Sequence, residues 1–460
     1  MLQQTGYTPP TVAPGAERPS LLGFLRAMVS NPVGAIPAAA YREPIVVLRM
    51  TGATVAFVSA PELLEEVLVR RVADFPKSDV DDRILRPAFG DSLLTAHGEE
   101  WRWKRRLAAP HFAPAALARS VPEMVAPFRA LAQTWRARNS PAPLDVAPAM
   151  TSATFEVIRR VLFSSQDDAE FDAIPAAIDD YLGPISWPIA LASLKVPAWA
   201  PHPGAAQIRR ARDRMRAAVG AVVAARRRSP GSYRDLCSDL MRGQDPETKR
   251  PLSDRDLVDM LLTLVAAGHE TSANGLTWAL LCLAEQPALQ AELASEVARV
   301  VGDRPVAAAD LGELKAVEAF LKESMRLLPP VPLLTRRTTQ TESLGGQTLK
   351  AGTILFIPIF AIQRHERLWP DPGRFDPGRF LGEGAKRMPR TAYMPFGAGP
   401  RICVGGAFAM MEMVAGLATL LQGVRFAVGG GAPCEPIQRI TLRPKGGMPL
   451  AVTAAGATPD

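Results

Sequence analysis

One cysteine stands apart by its surroundings. Cys403 closes the run Tyr393-Met394-Pro395-Phe396-Gly397-Ala398-Gly399-Pro400-Arg401-Ile402-Cys403-Val404-Gly405-Gly406, a loop rich in glycine and proline, and a helical pattern over 407–421 follows at once. A thiolate near a helix N-terminus is favoured by the macrodipole and by free backbone N–H groups, and a bound metal ion favours it further. Gly397 and Gly399 permit backbone angles that other residues resist. Gly405 would let a flat cofactor approach the helix closely, and Arg401, two residues before the cysteine, could reach an anionic group at the cofactor edge. The bland alternative is a small buried hydrophobe, the usual fate of a lone cysteine. A dinucleotide loop is excluded. Gly397-x-Gly399 opens like one, but Ile402 stands at the third glycine position and no clear strand precedes it.

Three other groups of residues carry chemistry or hold it in place. Ala267-Gly268-His269-Glu270-Thr271 interrupts a long apolar helical stretch, 253–284. Gly268 removes bulk so that another body can approach. Thr271 can bond the carbonyl four residues back and open the helix ladder locally. Glu270 can relay protons; the alternative is a solvated turn. Glu323-x-x-Arg326 places an acid and a base one turn apart. The spacing alone says little, because Glu99/Arg102, Glu156/Arg159, Glu247/Arg250 and Glu296/Arg299 share it and read most simply as surface pairs. Context selects the fifth: Pro329-Pro330 stops its helix, and Phe375-x-Pro377-x-Arg379-Phe380 follows before the cysteine loop. Trp101 and Arg105 share a helix face in Trp101-Arg102-Trp103-Lys104-Arg105-Arg106. Arg102, Lys104 and Arg106 then point elsewhere, as a solvated basic face or as a dock for an electron donor.

Phe396-Gly397-x-Gly399-x-Arg401-x-Cys403-x-Gly405 resembles the haem-binding signature of the cytochrome P-450 family, the haem-thiolate monooxygenases, and the other motifs resemble the family's in the same order, over roughly residues 43–450. The resemblance implies a mainly α fold with a small β portion, a triangular helix-rich single domain. It implies haem b with Cys403 as axial thiolate and Phe396, Gly397 and Gly405 around it. Trp101, Arg105, Arg401 and Arg336 would meet the propionates, with Arg337 as an alternative to Arg336. Ala267, Gly268, Glu270 and Thr271 would form the oxygen-activation groove, His269 having no role. Glu323, Arg326 and Arg379 would form a buried ion network, structural rather than chemical.

The activity so implied is activation of O2 with two externally supplied electrons and hydroxylation of a hydrophobic small molecule: a fatty acid, terpenoid, steroid or aromatic. The electrons would originate from NAD(P)H and arrive through a ferredoxin or flavodoxin-type donor with its reductase, since no flavin or iron–sulfur module follows Cys403. Substrate contacts are expected from 78–94, 181–199, 262–267, 331–335 and 444–450, with Phe89, Ile185, Trp187, Val265, Ala266, Val331, Leu333 and Met448 lining the pocket. A peroxide-driven haem enzyme is one rival, disfavoured by the Glu270-Thr271 pair. A haem sensor or carrier is another, with little use for a proton-relay groove.

These residues need elements to hold them. Apolar residues at three- and four-residue spacing predict helices over 60–71, 150–163, 202–228, 253–284 and 311–327. Hairpins are predicted from 45–50 with 54–59, and from 343–349 with 353–358. The stretch 182–203, rich in proline and tryptophan, reads as a helix–loop–helix cover.

The chain has 460 residues, 47% apolar and 22% charged, the balance of a globular protein with a large core. No clean linker appears, so residues 1–20 read as a flexible proline-rich leader and 21–460 as a single domain. Four scattered cysteines exclude a disulfide scaffold, and with five scattered histidines they argue against a structural zinc site. No stretch has the roughly 18 uninterrupted apolar residues of a membrane span. Together with the absence of an N-terminal anchor, this gives the expectation of a soluble, bacterial-type, cytoplasmic monomer. A net charge of +7 is too mild to signal nucleic acid.

Overall fold

The computed structural model describes residues 6–456, apart from 51–52, 139, 141, 165–172, 194–195, 198, 230–232, 234, 383–387 and 431–433. Its longer helices are α1 (Leu21–Ser30), α2 (Asp79–Phe89), α3 (Gly98–Ala108), α4 (Val121–Ala137), α5 (Val146–Phe163), α6 (Ile174–Leu182), α7 (Ser186–Ser193), α8 (Ala205–Arg228), α9 (Asp254–Ala284), α10 (Pro287–Val300), α11 (Lys315–Leu327) and α12 (Gly406–Gly423). The strands are β1 (Ile45–Met50), β2 (Ala53–Val58), β3 (Leu144–Asp145), β4 (Leu334–Arg337), β5 (Glu342–Leu344), β6 (Gln347–Leu349), β7 (Ile354–Ile357), β8 (Val424–Val428), β9 (Glu435–Gln438), β10 (Leu442–Lys445) and β11 (Pro449–Ala454).

Helix α9 is the axis. Ser253 and Asp256 close a capping box at its start. Apolar residues then occupy nearly every face, which makes a helix stable only inside a core. It packs on α5, α8, α11 and α12. Helix α12 can lie close because two positions are small. A side-chain carbon at Gly416 would come within 2.8 Å of the Phe128 ring on α4, and one at Gly275 within 2.9 Å of Met413 Sδ. The cysteine loop that opens α12 is thus anchored to the centre of the molecule. By length and composition α12 could cross a membrane, but 67% of it is buried within the fold, as a core helix would be.

The main sheet has the order β1-β2-β7-β4, antiparallel except for the β2–β7 pair. The first predicted hairpin forms, with its turn at 51–52 outside the described residues. The second does not. Strand β5 turns at Gly345-Gly346 and pairs with β6, while β7 leaves to pair with β2 and β4. All four residues of β7 are buried, and such a run belongs inside a sheet rather than on a two-stranded ribbon.

Four helix starts move, the 150–163 pattern beginning already at Val146, capped by Asp145. The 60–71 pattern becomes Pro61–Glu65 followed by a π-turn over Glu66–Arg70, the 202–228 pattern begins at Ala205, and the 311–327 pattern at Lys315. The described part of the leader is tied down rather than loose. Gly15 exchanges backbone bonds with Ile36 and Ala38, the Tyr7 carbonyl accepts from Phe375 N–H, and the two rings pack 6.1 Å apart.

Candidate active site

The loop before α12 is shaped by its glycines. Gly397 and Gly399 sit at φ +76° and +73°, and a side-chain carbon at Gly399 would lie 1.9 Å from Leu68 O. Neither position tolerates another residue without strain. Cys403 N–H donates to Phe396 O at 2.9 Å, closing the loop, and the Phe396 ring rests where Gly406 has no side chain. Among the four cysteines, Cys237 and Cys282 are buried and Cys434 is half-buried, while Cys403 is exposed. A carbon at Gly405 would meet only Cys403 Sγ, at 4.0 Å, so the space beside the sulfur is open.

Three guanidiniums gather about the loop: Arg105 acts on the sulfur, and Arg401 feels both Arg105 and Arg336. The loop packed around the accessible sulfur thins its solvation and pushes the thiol up, while the Gly405 N–H and the charge of Arg105, from α3, favour the thiolate. Arg401 stacks on Trp101, its Cζ 4.1 Å from the ring, and feels Arg336, Arg102 and Arg105 as like charges; burial and these neighbours push it down to about 10. Arg336 is buried on β4 and bonds its own strand at Thr335 O. Strand alternation turns Arg337 outward to the exposed Asp79, 3.1 Å away, so Arg336 is the one that faces the cluster. Among the described residues no carboxylate comes within ion-pair distance of Arg105, Arg336 or Arg401. The acids in reach are engaged elsewhere, Asp81 by Thr335 at 3.0 Å and Asp82 by His97 at 2.9 Å. Arg401 Nη1 is buried without a hydrogen-bond partner. Lys77, which the sequence reading passed over, adds a further charge; burial pushes it down to about 8.

On α9, Ala267 is exposed and Ala266, Glu270 and Thr271 partly so, in a helix otherwise largely buried. Thr271 donates to Ala267 O at 2.7 Å, yet the helix runs unbroken. The back-bond adds to the ladder here instead of opening it, and Thr154 of α5 also donates to His269 O at 2.9 Å. Gly268 has a packing role of its own. A carbon there would meet Ile158 Cδ1 at 2.6 Å, so its smallness seats α5 against α9. Glu270 is held by Arg443 and Thr441, each at 2.6 Å, and Arg443 reaches the exposed Asp179 at 3.4 Å. Thr441 and Arg443 lie far along the chain from this motif, and no local spacing marked them.

Glu323 and Arg326 form a doubly bonded pair at 2.7 Å, both fully buried. Arg326 also donates to the carbonyls of Gln363, Pro372 and Arg374, and Glu323 accepts from Asp376 N–H. Arg379 approaches Glu323 at 3.6 Å. Of the four pairs set aside, Glu296 departs most from a surface pair: its carboxylate caps α11 at Ala316 and Val317 N–H.

The expected basic dock dissolves. Lys104 is buried between Glu100 and Asp256, and Arg106 is bound to the buried Asp245 at 2.8 Å. Arg102 alone stays exposed, facing Glu99.

The pocket residues divide. Leu333 lines a crevice of about 100 Å³ with Ile84, Leu85 and Thr335, and Ile185 lines a larger cavity on the other side of Ile84. Phe89 is buried edge-on to Tyr181, Val265 is buried in α9, and Ala266 and Val331 are half-buried. Two placements fail. Trp187 is 43% exposed on α7 and lines neither cavity. Met448 is core, its backbone bonded to Asp145 and Val146. The turn that reaches the crevice is Gln438-Arg439-Ile440, between β9 and β10. The prolines at 436 and 444 hid this hairpin from a strand pattern.

The sequence matches the Cytochrome P450 family over residues 37–450. The chain belongs to the cytochrome P450 family. It is similar to cyclooctatin synthase of Streptomyces melanosporofaciens, 32% identical over 98% of this chain and 95% of that one. It is also similar to pentalenene oxygenase of Streptomyces avermitilis, 29% identical over 96% and 97%. The fold matches the crystal structure of the cytochrome P450DA heme domain with a TM-score of 0.84 at 25% identity, covering 97% of this chain and 98% of that one. This cytochrome P450 is accordingly a monooxygenase of the haem-iron class. Its site fits that group. An accessible thiol donor, the cradle that Gly405 leaves beside it and three guanidiniums without a direct ion pair suit an iron with a doubly anionic, flat ligand.

One buried acid of this P450 lies outside that site. Glu412 on α12 is near Ser272, but neither carboxyl oxygen makes a hydrogen bond, and burial pushes it up to about 8. The folded chain keeps this proton between pH 4.5 and about 8, where the unfolded chain releases it. Its contribution is therefore full below pH 4.5 and is lost as pH rises through 8. Glu412→Gln should stabilise the protein by about 3–5 kcal/mol at pH 8 and by little at pH 4. Urea unfolding at the two pH values checks this; an equal effect at both would contradict it.

Proposed function

We propose that this P450 hydroxylates a hydrophobic small molecule of terpenoid type, with haem b held by Cys403. The observation that carries the reading is the exposed Cys403 sulfur beside the unpaired Arg105, Arg336 and Arg401. Arg105, Arg336 and Arg401 would hold the haem propionates, and Trp101 fixes the Arg401 plane. The terpenoid class is favoured by the names of the relatives, cyclooctatin synthase and pentalenene oxygenase. When bound, the haem activates O2, and a thiolate ligand favours cleavage of the O–O bond.

The chain's own residues supply protons and shape. The row Asp179, Arg443, Glu270 leads from an exposed carboxylate to α9. Arg443 stays protonated and only fixes the Glu270 carboxylate; the partly exposed Glu270 takes protons from solvent and hands them to the neighbouring Thr271 hydroxyl, anchored on Ala267 O. Electrons originate from NAD(P)H and arrive from a ferredoxin or flavodoxin-type donor. The donor docks beside Cys403, where Ile402 is 44% exposed and Val69, which abuts the loop at Gly399, is 43% exposed.

Thr271→Ala tests the proton role. Product formed per electron consumed should fall about tenfold or more, a lost general-acid contribution. Turnover driven by peroxide should persist. Unchanged coupling would remove Thr271 from the reaction, and a parent chain that turns over on peroxide but with no reductant would favour the peroxygenase reading.

A further inference from the structure

Helix α9 is apolar on nearly every face, yet one face carries a row of hydrogen-bonding side chains. Glu270, Asn274 and Trp278 follow one another at four-residue spacing, which stacks them along the helix. All three bond to one piece of chain, the residues that open β10. Asn274 Nδ2 donates to Thr441 Oγ at 3.1 Å, and Trp278 Nε1 donates to Leu442 O at 3.0 Å. Glu270 Oε1 accepts from Thr441 Oγ and from Arg443 Nη2, each at 2.6 Å. The Leu442 N–H is bound in turn to Pro330 O at 2.9 Å. Asn274, Trp278, Thr441 and Leu442 are all buried, so the row is a fixed part of the interior and not a solvated face.

The direction of these bonds is forced. An amide nitrogen and a guanidinium only donate, and a hydroxyl has a single proton. Thr441 Oγ accepts from Asn274, so its own proton points at Glu270. Thr441 and Arg443 both end on Oε1. Among the described residues no donor reaches Oε2, and 13% of the side chain stays open. One oxygen is held and the other is free. The two holders differ in kind. Arg443 is long, half-buried and shared with the exposed Asp179 at 3.4 Å. Thr441 is short, buried and braced from behind by Asn274, so it fixes a position where Arg443 supplies a charge.

We propose that Thr441 is a positioning residue for proton delivery: it locks Oε1 of Glu270 and so leaves Oε2 as the one atom that takes a proton from water and passes it to the Thr271 hydroxyl. The Thr271 oxygen gains this proton as it releases its own, and water then reprotonates Oε2, so both groups return to their starting state. This rests on the reading of Glu270 as the proton donor, and adds which oxygen works and what aims it. Thr441 also follows Gln438-Arg439-Ile440, the turn that reaches the crevice, and the Arg439 N–H donates to Thr441 O at 3.0 Å. Substrate contact and proton aim therefore sit on one hairpin.

Infrared difference spectra of the holoenzyme test the lock without turnover. The carboxyl band that Glu270→Gln removes should shift in Thr441→Val, which loses the hydroxyl and keeps the shape, and return in Thr441→Ser, which keeps the hydroxyl. With a reductant and farnesol as the probe, product per electron consumed should fall about fivefold in Thr441→Val and recover to within about twofold of the parent in Thr441→Ser. Added to Glu270→Gln, Thr441→Val should lower it no further, because Thr441 acts through that carboxylate. An unmoved infrared band, a serine variant as impaired as the valine one, or a further fivefold loss on top of Glu270→Gln would overturn the proposal. Full coupling in Glu270→Gln alone would remove the proton donor, and the proposal with it. Coupling lost in Glu270→Gln but normal in Thr441→Val would leave the donor standing and overturn only its positioning.

Discussion

Replacement of Cys403 by serine should end turnover, by more than about a thousandfold, in a chain that still folds. The folding half of this expectation is local. The contacts that shape the loop are backbone ones: Cys403 N–H to Phe396 O, Gly397 N–H to Met394 O and Ile402 N–H to Gly399 O. Serine keeps all of them, and its smaller oxygen disturbs no packing around an exposed side chain. The chemical half rests on sulfur. A thiol releases its proton to a bound metal ion far more readily than a hydroxyl does, and only the thiolate supplies the electron density on which O–O cleavage depends. Cys434→Ser is the matched control. Its sulfur meets Gly447 O at 3.1 Å, away from the cysteine loop, and turnover should be unchanged. Product yield with a reductant checks both, with circular dichroism to confirm the fold. Turnover retained in the Cys403 variant would remove the sulfur from the mechanism.

The second large effect is on stability. Glu323→Leu should cost about 3–5 kcal/mol, because it leaves the Arg326 charge buried without its acid. Against a total of about 5–15 kcal/mol this is severe, and loss of haem should accompany it. Replacing both partners by leucine should not restore stability. Arg326 also satisfies the carbonyls of Gln363, Pro372 and Arg374, and Glu323 satisfies Asp376 N–H; all four would be left bare. Urea unfolding followed by fluorescence measures this. A change below about 1 kcal/mol, or full recovery in the double variant, would refute a structural role for the network.

Much of this was legible in the chain because it is local. The cysteine loop is written in consecutive residues, and Gly397 and Gly399 have the positive φ that their type suggests. The central helix is written in a cap and an apolar run, and it starts one residue from the predicted boundary. Arg336 and Arg337 could not be separated until the β4–β7 pairing fixed which face of the strand looks inward.

What escaped is what the fold brings together from afar. Gly268 looked like room for a cofactor, yet Ile158, more than a hundred residues earlier, fills that room. The basic run 102–106 looked solvated, yet Asp245 and Asp256 neutralise two of its members. Thr441 and Arg443 reach Glu270 from a hairpin whose prolines disguise it as loop. Charge in a sequence is visible; the partner that cancels it is not.

The most direct test of the central claim is the absorption spectrum of the dithionite-reduced protein under carbon monoxide. Thiolate ligation by Cys403 predicts a Soret band at the long-wavelength position that gives the family its name. A band at the ordinary haem position in freshly prepared, folded protein, or no haem band at all, would contradict it.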